Sequence, residues 1–162
     1  MENNVNIVEA NLEDKRLQND IITMTLDYAR DNWGNNSILP EEVVKRLISG
    51  LKAIPTTIIF LAYVNEKAVG IATCFMGFST FNARPLLNVH DFAVISEYRK
   101  RGISRLLMES VEEKARKLDC CKLTLEVNEN NSRAKHIYEA AGFEPAIGGI
   151  LNGKTLFYNK KI

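Results

Sequence analysis

The run "EYRKRGISRLL", Glu97 to Leu107, decides how this chain is read. Arg99, Lys100 and Arg101 crowd against Gly102, and a segment with helical apolar spacing starts at Ile103. Like charges stacked where a helix begins imply that something negative belongs among them. A helix amino terminus leaves several N–H groups without partners and carries about half a positive charge. Gly102 lets a ligand approach the backbone and takes φ > 0 at no steric cost. Strand, basic glycine turn and helix together form a cradle for phosphate. The run has no G-x-x-x-x-G-K and only one glycine, so it is neither a Walker loop nor a dinucleotide fingerprint. Alone, the pattern also fits a solvated, charged helix start.

Working outward, Ile103, Leu106, Leu107, Val111, Ala115 and Leu118 share one face of a helix predicted from Ile103 to Asp119. Glu112–Arg116 and Glu113–Lys117 are i,i+4 pairs opposite that face. Before the turn, "LLNVHDFAV" reads as a strand, preceded by the polar, aromatic loop "STFNARP". "TTIIFLAYV" is almost wholly β-branched, aromatic or aliphatic, which suits a strand covered on both faces. "NEK" turns it into its hairpin partner, "AVGIATCFMGF". Nearer the amino terminus, a strand is predicted at Asn6 to Ala10. Asp14 caps a helix running to about Asn32, with Leu17, Ile21, Met24, Tyr28 and Ala29 on one stripe. Pro40 suits the first turn of a second helix whose buried face is Val43, Val44, Leu47, Ile48 and Leu51. After the central helix, "KLTLEV" alternates as a strand with Leu123, Leu125 and Val127 on one side. "NNSRAKHIYEAAG" reads as a capped helix ending at Gly142. Short strands near Ala146 to Ile150 and Thr155 to Asn159 close the chain. The order β-α-α-β-β-β-α-β-α-β-β specifies an α/β (α+β) fold, one domain over residues 1–162.

Composition agrees with one globular domain: 46% apolar and 25% charged residues over 162 positions. A formal charge of +1 argues against non-specific nucleic-acid binding, so any basic site is local. "MENNVNIVEAN" has neither the basic nor the apolar region of a signal peptide. No apolar run approaches the roughly 20 residues of a membrane span. Cys120 and Cys121 are adjacent, too close for an ordinary disulfide or zinc knuckle, and the chain has only two histidines. With Cys74 they read as reduced thiols of a cytoplasmic protein, with no metal implied.

Arg99-Lys100-Arg101-Gly102-Ile103-Ser104 resembles the acetyl-CoA signature Arg/Gln-x-x-Gly-x-Gly/Ala of the GNAT superfamily of N-acetyltransferases, with Ser104 as its one departure. The family's second signature, Asn-x-x-Ala-x-x-x-Tyr-x-x-x-Gly-Phe, is met in full by Asn131, Ala134, Tyr138, Gly142 and Phe143. The two stand one helix and one strand apart, as in the family. The resemblance implies a GNAT-like domain with a central mixed, mostly antiparallel sheet and helices on both faces. It implies acetyl-CoA as co-substrate, with its pyrophosphate on the amides of Arg101, Gly102, Ile103, Ser104 and Arg105 and with Arg99 beside them. The pantetheine arm is expected along the backbone of Phe92, Ala93 and Val94, as an added strand. Asn131 lies where the family holds that arm with an amide side chain; it is equally a helix N-cap, and the two roles are compatible. Tyr138 stands at the family's general acid, which protonates the leaving thiolate. By spacing alone, Tyr138 is also a core residue beside Ile137 and Ala141.

The acceptor amine must lose a proton before it attacks, because an alkylamine keeps it up to about pH 10. Simple alternation puts Asn88, His90 and Phe92 on one face of their strand. His90 falls where polyamine acetyltransferases of the superfamily carry a glutamate, and histidine suits base work near neutrality; a half-buried structural histidine is the alternative. Asp91 orients substrate or pairs with an arginine, and Glu126 is a more weakly placed base. By analogy the first helix (Asp27, Tyr28, Asp31, Trp33) and the loop carrying Phe81 rim the acceptor site, where carboxylates beside aromatics suit a cationic amine. The expected activity is acetyl transfer from acetyl-CoA to a primary amine of a small, polyamine-like molecule. A protein lysine or amino-terminal acetyltransferase and a non-catalytic acyl-CoA-binding module are the alternatives. Relatives are often dimers, so a homodimer stays open.

Overall fold

A computed structural model describes residues 4–34, 36–145 and 160. Its elements are β1 (Val5–Glu9), α1 (Lys15–Arg30), α2 (Glu41–Ala53), β2 (Thr57–Val64), β3 (Lys67–Ser79), β4 (Arg84–Val94), a 3-10 turn (Ser96–Tyr98), α3 (Ile103–Lys117), β5 (Leu123–Leu125) and α4 (Ser132–Ala140). The two carboxy-terminal strands expected from the sequence lie outside the described residues. The described strands form one mixed sheet in the order β1-β2-β3-β4-β5. The first four are mutually antiparallel and β5 joins β4 in parallel.

β2 is the strand that fixes the layers. Phe60, Ala62 and Val64 pack on one face with Ile103, Leu107 and Val111 of α3. Ile59, Leu61 and Tyr63 pack on the other with Leu17, Ile21 and Met24 of α1. Apolar residues at every position are what a strand covered on both sides requires. The α1 stripe is as its spacing predicted, except that Tyr28 is only half-buried and turns toward the site. α2 differs from expectation. None of its residues is buried, Pro40 is its N-cap, and only Ile48 and Leu51 join the α1-side core. α1 already covers that face of the sheet, so α2 packs against its margin and leaves Val43 exposed.

Two local devices set the ends of the helices that matter. Asp14 caps α1, accepting from the N–H groups of Arg16 at 2.8 Å and Leu17 at 3.3 Å. At the end of α4, Gly142 N–H returns to Glu139 O and Phe143 N–H to Tyr138 O, the crossed pair of a Schellman motif. Phe143 thereby rests beside the Tyr138 ring, 5.9 Å between centroids, and fixes where that ring stands.

Pairing between β4 and β5 is confined to Leu87–Leu123, Asn88–Thr124 and Val89–Leu125. Past these the strands part. β5 ends at Leu125, so the expected continuation through Val127 does not form and Val127 is exposed: with β4 diverging, it has no ladder partner among the described residues. Asp14→Ala is expected to lower unfolding free energy by about 1 kcal/mol, the usual worth of an N-cap, measured by urea denaturation, without altering the site.

Candidate active site

The parting begins at a β-bulge. Thr73 faces Asp91 and the next residue, Cys74, faces Val89, so His90 is the extra residue of β4. The bulge reverses the alternation. Leu87 and Val89 before it, and Phe92 and Val94 after it, all pack on the α3 side, while Ala93 joins the α1 side. The expectation that His90 shares a face with Phe92 therefore fails. His90 is exposed, its ring lies edge-on to Phe75 at 5.6 Å, and it does not line the cleft described below.

Beyond the bulge, backbone geometry dictates which groups are available. Ile95 donates its N–H to Val69 O, which makes that pair the hydrogen-bonded kind. In an antiparallel ladder such pairs alternate with non-bonded ones. Ala93 thus bonds to β3 at Ile71, whereas Phe92 and Val94 turn their N–H and C=O away from β3, toward the gap beside β5. Of the three residues expected to pair with an incoming arm, Phe92 and Val94 offer backbone groups and Ala93 does not. The Val94 carbonyl already accepts Arg99 Nε at 2.8 Å.

The gap is a cleft of about 80 Å³ lined by Phe92, Ala93, Val94, Arg99, Ser104, Asn131, Ala134 and Tyr138, with Tyr28, Asp31 and Trp33 on the α1 side. Tyr138 faces Phe92 across it at 6.0 Å between ring centroids. Burial pushes the Tyr138 hydroxyl up to about 12, with the neighbouring Tyr28 adding to the rise, so the phenol keeps its proton as a donor. Tyr28 is raised too, by burial, then by the charges of Asp91 and Asp31. Asp91 itself is raised by burial, with His90 opposing. No ion pair involves Asp91 among the described residues, so the expected arginine partner is not found. Asn131 is the N-cap of α4, its Oδ1 accepting Ala134 N–H at 3.0 Å, which leaves its amide nitrogen for the cleft.

Through Ser104, Arg133 and Ile137 the cleft runs into a groove of about 580 Å³ between α3 and α4, walled also by Lys100, Gly102, Arg105 and Met108. α3 starts without a side-chain cap at Gly102, whose φ of 78° is left-handed. A Cβ on Gly102 would meet nothing within 4 Å, so the dihedral, not crowding, calls for glycine there. Arg105 is exposed with only a loose 3.8 Å pair to Glu109. Arg101 is exposed and stacks over Tyr98 at 4.9 Å. Arg99, by contrast, is largely buried and paired with Asp31. An uncapped helix start, flanking cations and an unpaired strand edge fit an extended, amide-bearing ligand with a phosphate group.

Several expected rim residues lie elsewhere. Asp27 is exposed and lines no part of the cleft, and Phe81 is fully exposed in the β3–β4 turn. β3 and β4 pair out to Ser79 and Arg84, which carries that turn away from the site. Glu126 is exposed past the end of β5. Arg133, His136 and Ile137 line the cleft or groove and were not anticipated. Their i, i+3, i+4 spacing on α4 was the available signal. The cysteines are free, with Cys74 buried. No described helix is long and apolar enough to cross a membrane.

Comparison with known proteins agrees with this geometry. The uncharacterized N-acetyltransferase YhfO of Bacillus subtilis (strain 168) is 24% identical over 92 residues, covering 57% of this chain and 62% of that protein, less than two thirds of its length. A crystal structure of a probable acetyltransferase superposes with a TM-score of 0.78 at 18% identity, covering 96% of this chain and 99% of that one. AAC(6')-Iy, in complex with the bisubstrate analog CoA-S-monomethyl-acetylneamine, superposes with a TM-score of 0.74 at 16% identity over 94% of this chain and 99% of that one. At such identities the structural likeness shows the fold. The model of the acetyltransferase (GNAT) family matches residues 23–143, from within α1 through Phe143, and the chain belongs to that family.

Proposed function

We propose that the protein is an N-acetyltransferase that transfers the acetyl group of acetyl-CoA to the primary amine of a small molecule. The observation that carries this reading is the half-paired edge of β4. Phe92 and Val94 present backbone groups to a cleft closed by Tyr138, and the cleft continues to the uncapped start of α3. A pantetheine arm in the cleft would complete the strand edge, with the Asn131 amide beside it. Its pyrophosphate would then meet the first amides of α3, with Lys100, Arg105 and Arg133 supplying charge. That register would bring the thioester past the Phe92 backbone toward the Tyr138 hydroxyl.

Tyr138 is the proton donor. The amine nitrogen, once neutral, forms the new C–N bond at the thioester carbonyl. The C–S bond breaks, the departing sulfur takes the Tyr138 hydroxyl proton, and the tyrosinate recovers a proton from the new amide nitrogen, which sheds the one it no longer holds as a neutral amide. The proposal for the amine's proton acceptor passes from His90 to Asp91. Asp91 does not line the cleft, but it is half-buried on the residue before Phe92 and near enough to Tyr28 for its charge to raise that hydroxyl, which makes it the carboxylate to test as the base. A polyamine is less well served: Asp31 is held by Arg99, and Asp27 is outside the cleft. The free thiols support a reducing, cytoplasmic setting.

Tyr138→Phe should keep acetyl-CoA affinity within a few fold by calorimetry and slow turnover by about 10²-fold, read from thiol release across an amine panel. Turnover at the parent rate would remove the acid role. In the parent enzyme the Tyr138 hydroxyl, at about 12, stays protonated. Its kcat should therefore not fall on the alkaline side near the ordinary tyrosine value of about 10.

For the base, kcat/KM should rise with pH through one ionisation above the usual aspartate range, since the carboxylate is active and its proton is held more tightly than normal. Asp91→Asn should abolish that limb and cost about 10²-fold near neutrality; His90→Gln should keep the limb. The reverse pattern would return the role to His90.

A further inference from the structure

Arg99 belongs to the phosphate signature by sequence, yet its guanidinium is engaged elsewhere. Nε donates to the Val94 carbonyl at 2.8 Å, and a terminal nitrogen donates to Asp31. The side chains of Arg99 and Asp31 are 25% and 21% exposed, so the pair is mostly shielded from water. Burial raises the Asp31 carboxyl, but the Trp33 N–H and the Arg99 guanidinium lower it further, leaving it below its ordinary value and charged near neutrality.

Asp31 closes the carboxyl end of α1, its N–H returning to the carbonyls of Asp27 and Tyr28. Its other oxygen accepts Trp33 N–H at 2.9 Å, and the Tyr28 hydroxyl reaches toward the Trp33 carbonyl at 3.4 Å. The chain then folds back so tightly that a Cβ on Gly34 would lie 1.9 Å from the Tyr28 carbonyl oxygen. Residues Tyr28 to Gly34 are thus one self-tied wall of the cleft, and the Asp31–Arg99 pair joins that wall to the end of β4.

We propose that Arg99 is a positioning residue. Through Asp31 it holds the acceptor wall against Val94, so that the amine site takes its shape from the strand edge that receives the coenzyme arm. A phosphate competing for the terminal nitrogen that faces Asp31 would have to displace that carboxylate. Lysine would not substitute, because one ammonium cannot reproduce the planar fork that reaches both Val94 O and Asp31. The proposal rests on the transferase reading for the identity of the amine site and the coenzyme arm; the Arg99–Asp31 tie itself does not.

The test is a double-mutant cycle of Arg99→Gln and Asp31→Asn, read by three measurements. Calorimetry should give acetyl-CoA affinities within about threefold of the parent for both variants. Each variant should raise KM for the amine by roughly 3- to 30-fold with a smaller change in kcat, and the double variant should be no worse than the poorer single one, since paired groups are not additive. Arg99→Lys should behave like Arg99→Gln. Trp33, the only tryptophan in the chain, should shift its emission alike in both single variants. Tenfold weaker acetyl-CoA binding confined to Arg99→Gln, or additive effects, would overturn the proposal in favour of a phosphate contact. Should Arg99→Gln fail to fold, Asp31→Asn with an unchanged amine KM and unchanged Trp33 emission would overturn it equally. If no amine is turned over by the parent protein, the transferase reading falls separately, and calorimetry with Trp33 emission still judges Arg99.

Discussion

Among the described residues, β4 past Val89 is hydrogen-bonded along one edge only, and the rest of the site follows from that. A strand edge inside a folded protein has N–H and C=O groups that cost free energy if left dry and unpaired. At Phe92 and Val94 those groups face a cleft rather than a neighbouring strand. The Val94 carbonyl is satisfied by Arg99. The remaining backbone groups face the cleft. The sheet is left unfinished at the point where a ligand can finish it.

The bulge at His90 is what keeps the edge open. One extra residue bends β4 away from β5, ends their pairing, and exchanges the two faces of the strand. It brings Phe92 under Tyr138 on the α3 side and sets Asp91 beside Tyr28 on the α1 side. The Schellman turn at Gly142 and Phe143 does the matching work from α4, bracing the Tyr138 ring from behind.

Charge in this site is divided between holding and receiving. Arg99 and Asp31 neutralise one another and fix the wall, whereas Lys100, Arg101 and Arg105 remain exposed around the turn. The stack of cations at Arg99 to Arg101 thus resolves into three different duties: an internal tie at Arg99, a left-handed turn residue at Lys100, and a cation stacked on Tyr98 at Arg101. Exposed cations next to unpaired helix amides are attractive to phosphate without any further contact.

The sequence by itself determined the order of the described secondary elements and the two signatures. Caps, apolar periods and turn glycines act within a few residues, so Asp14, the α1 stripe, the double-faced β2, Gly102 and the Asn131–Phe143 run were legible without a fold. Periodicity could not reveal the bulge, because a one-residue shift in pairing leaves the residue pattern unchanged while exchanging every later face; hence simple alternation puts His90 on the face of Phe92, where the fold does not. Nor could it tell that Arg99 is consumed by Asp31, 68 positions away, that Asp27 and Phe81 stand outside the cleft, or that α1 leaves α2 little sheet to cover. Those outcomes depend on which distant segments meet, and only the packed sheet and its helices decide that.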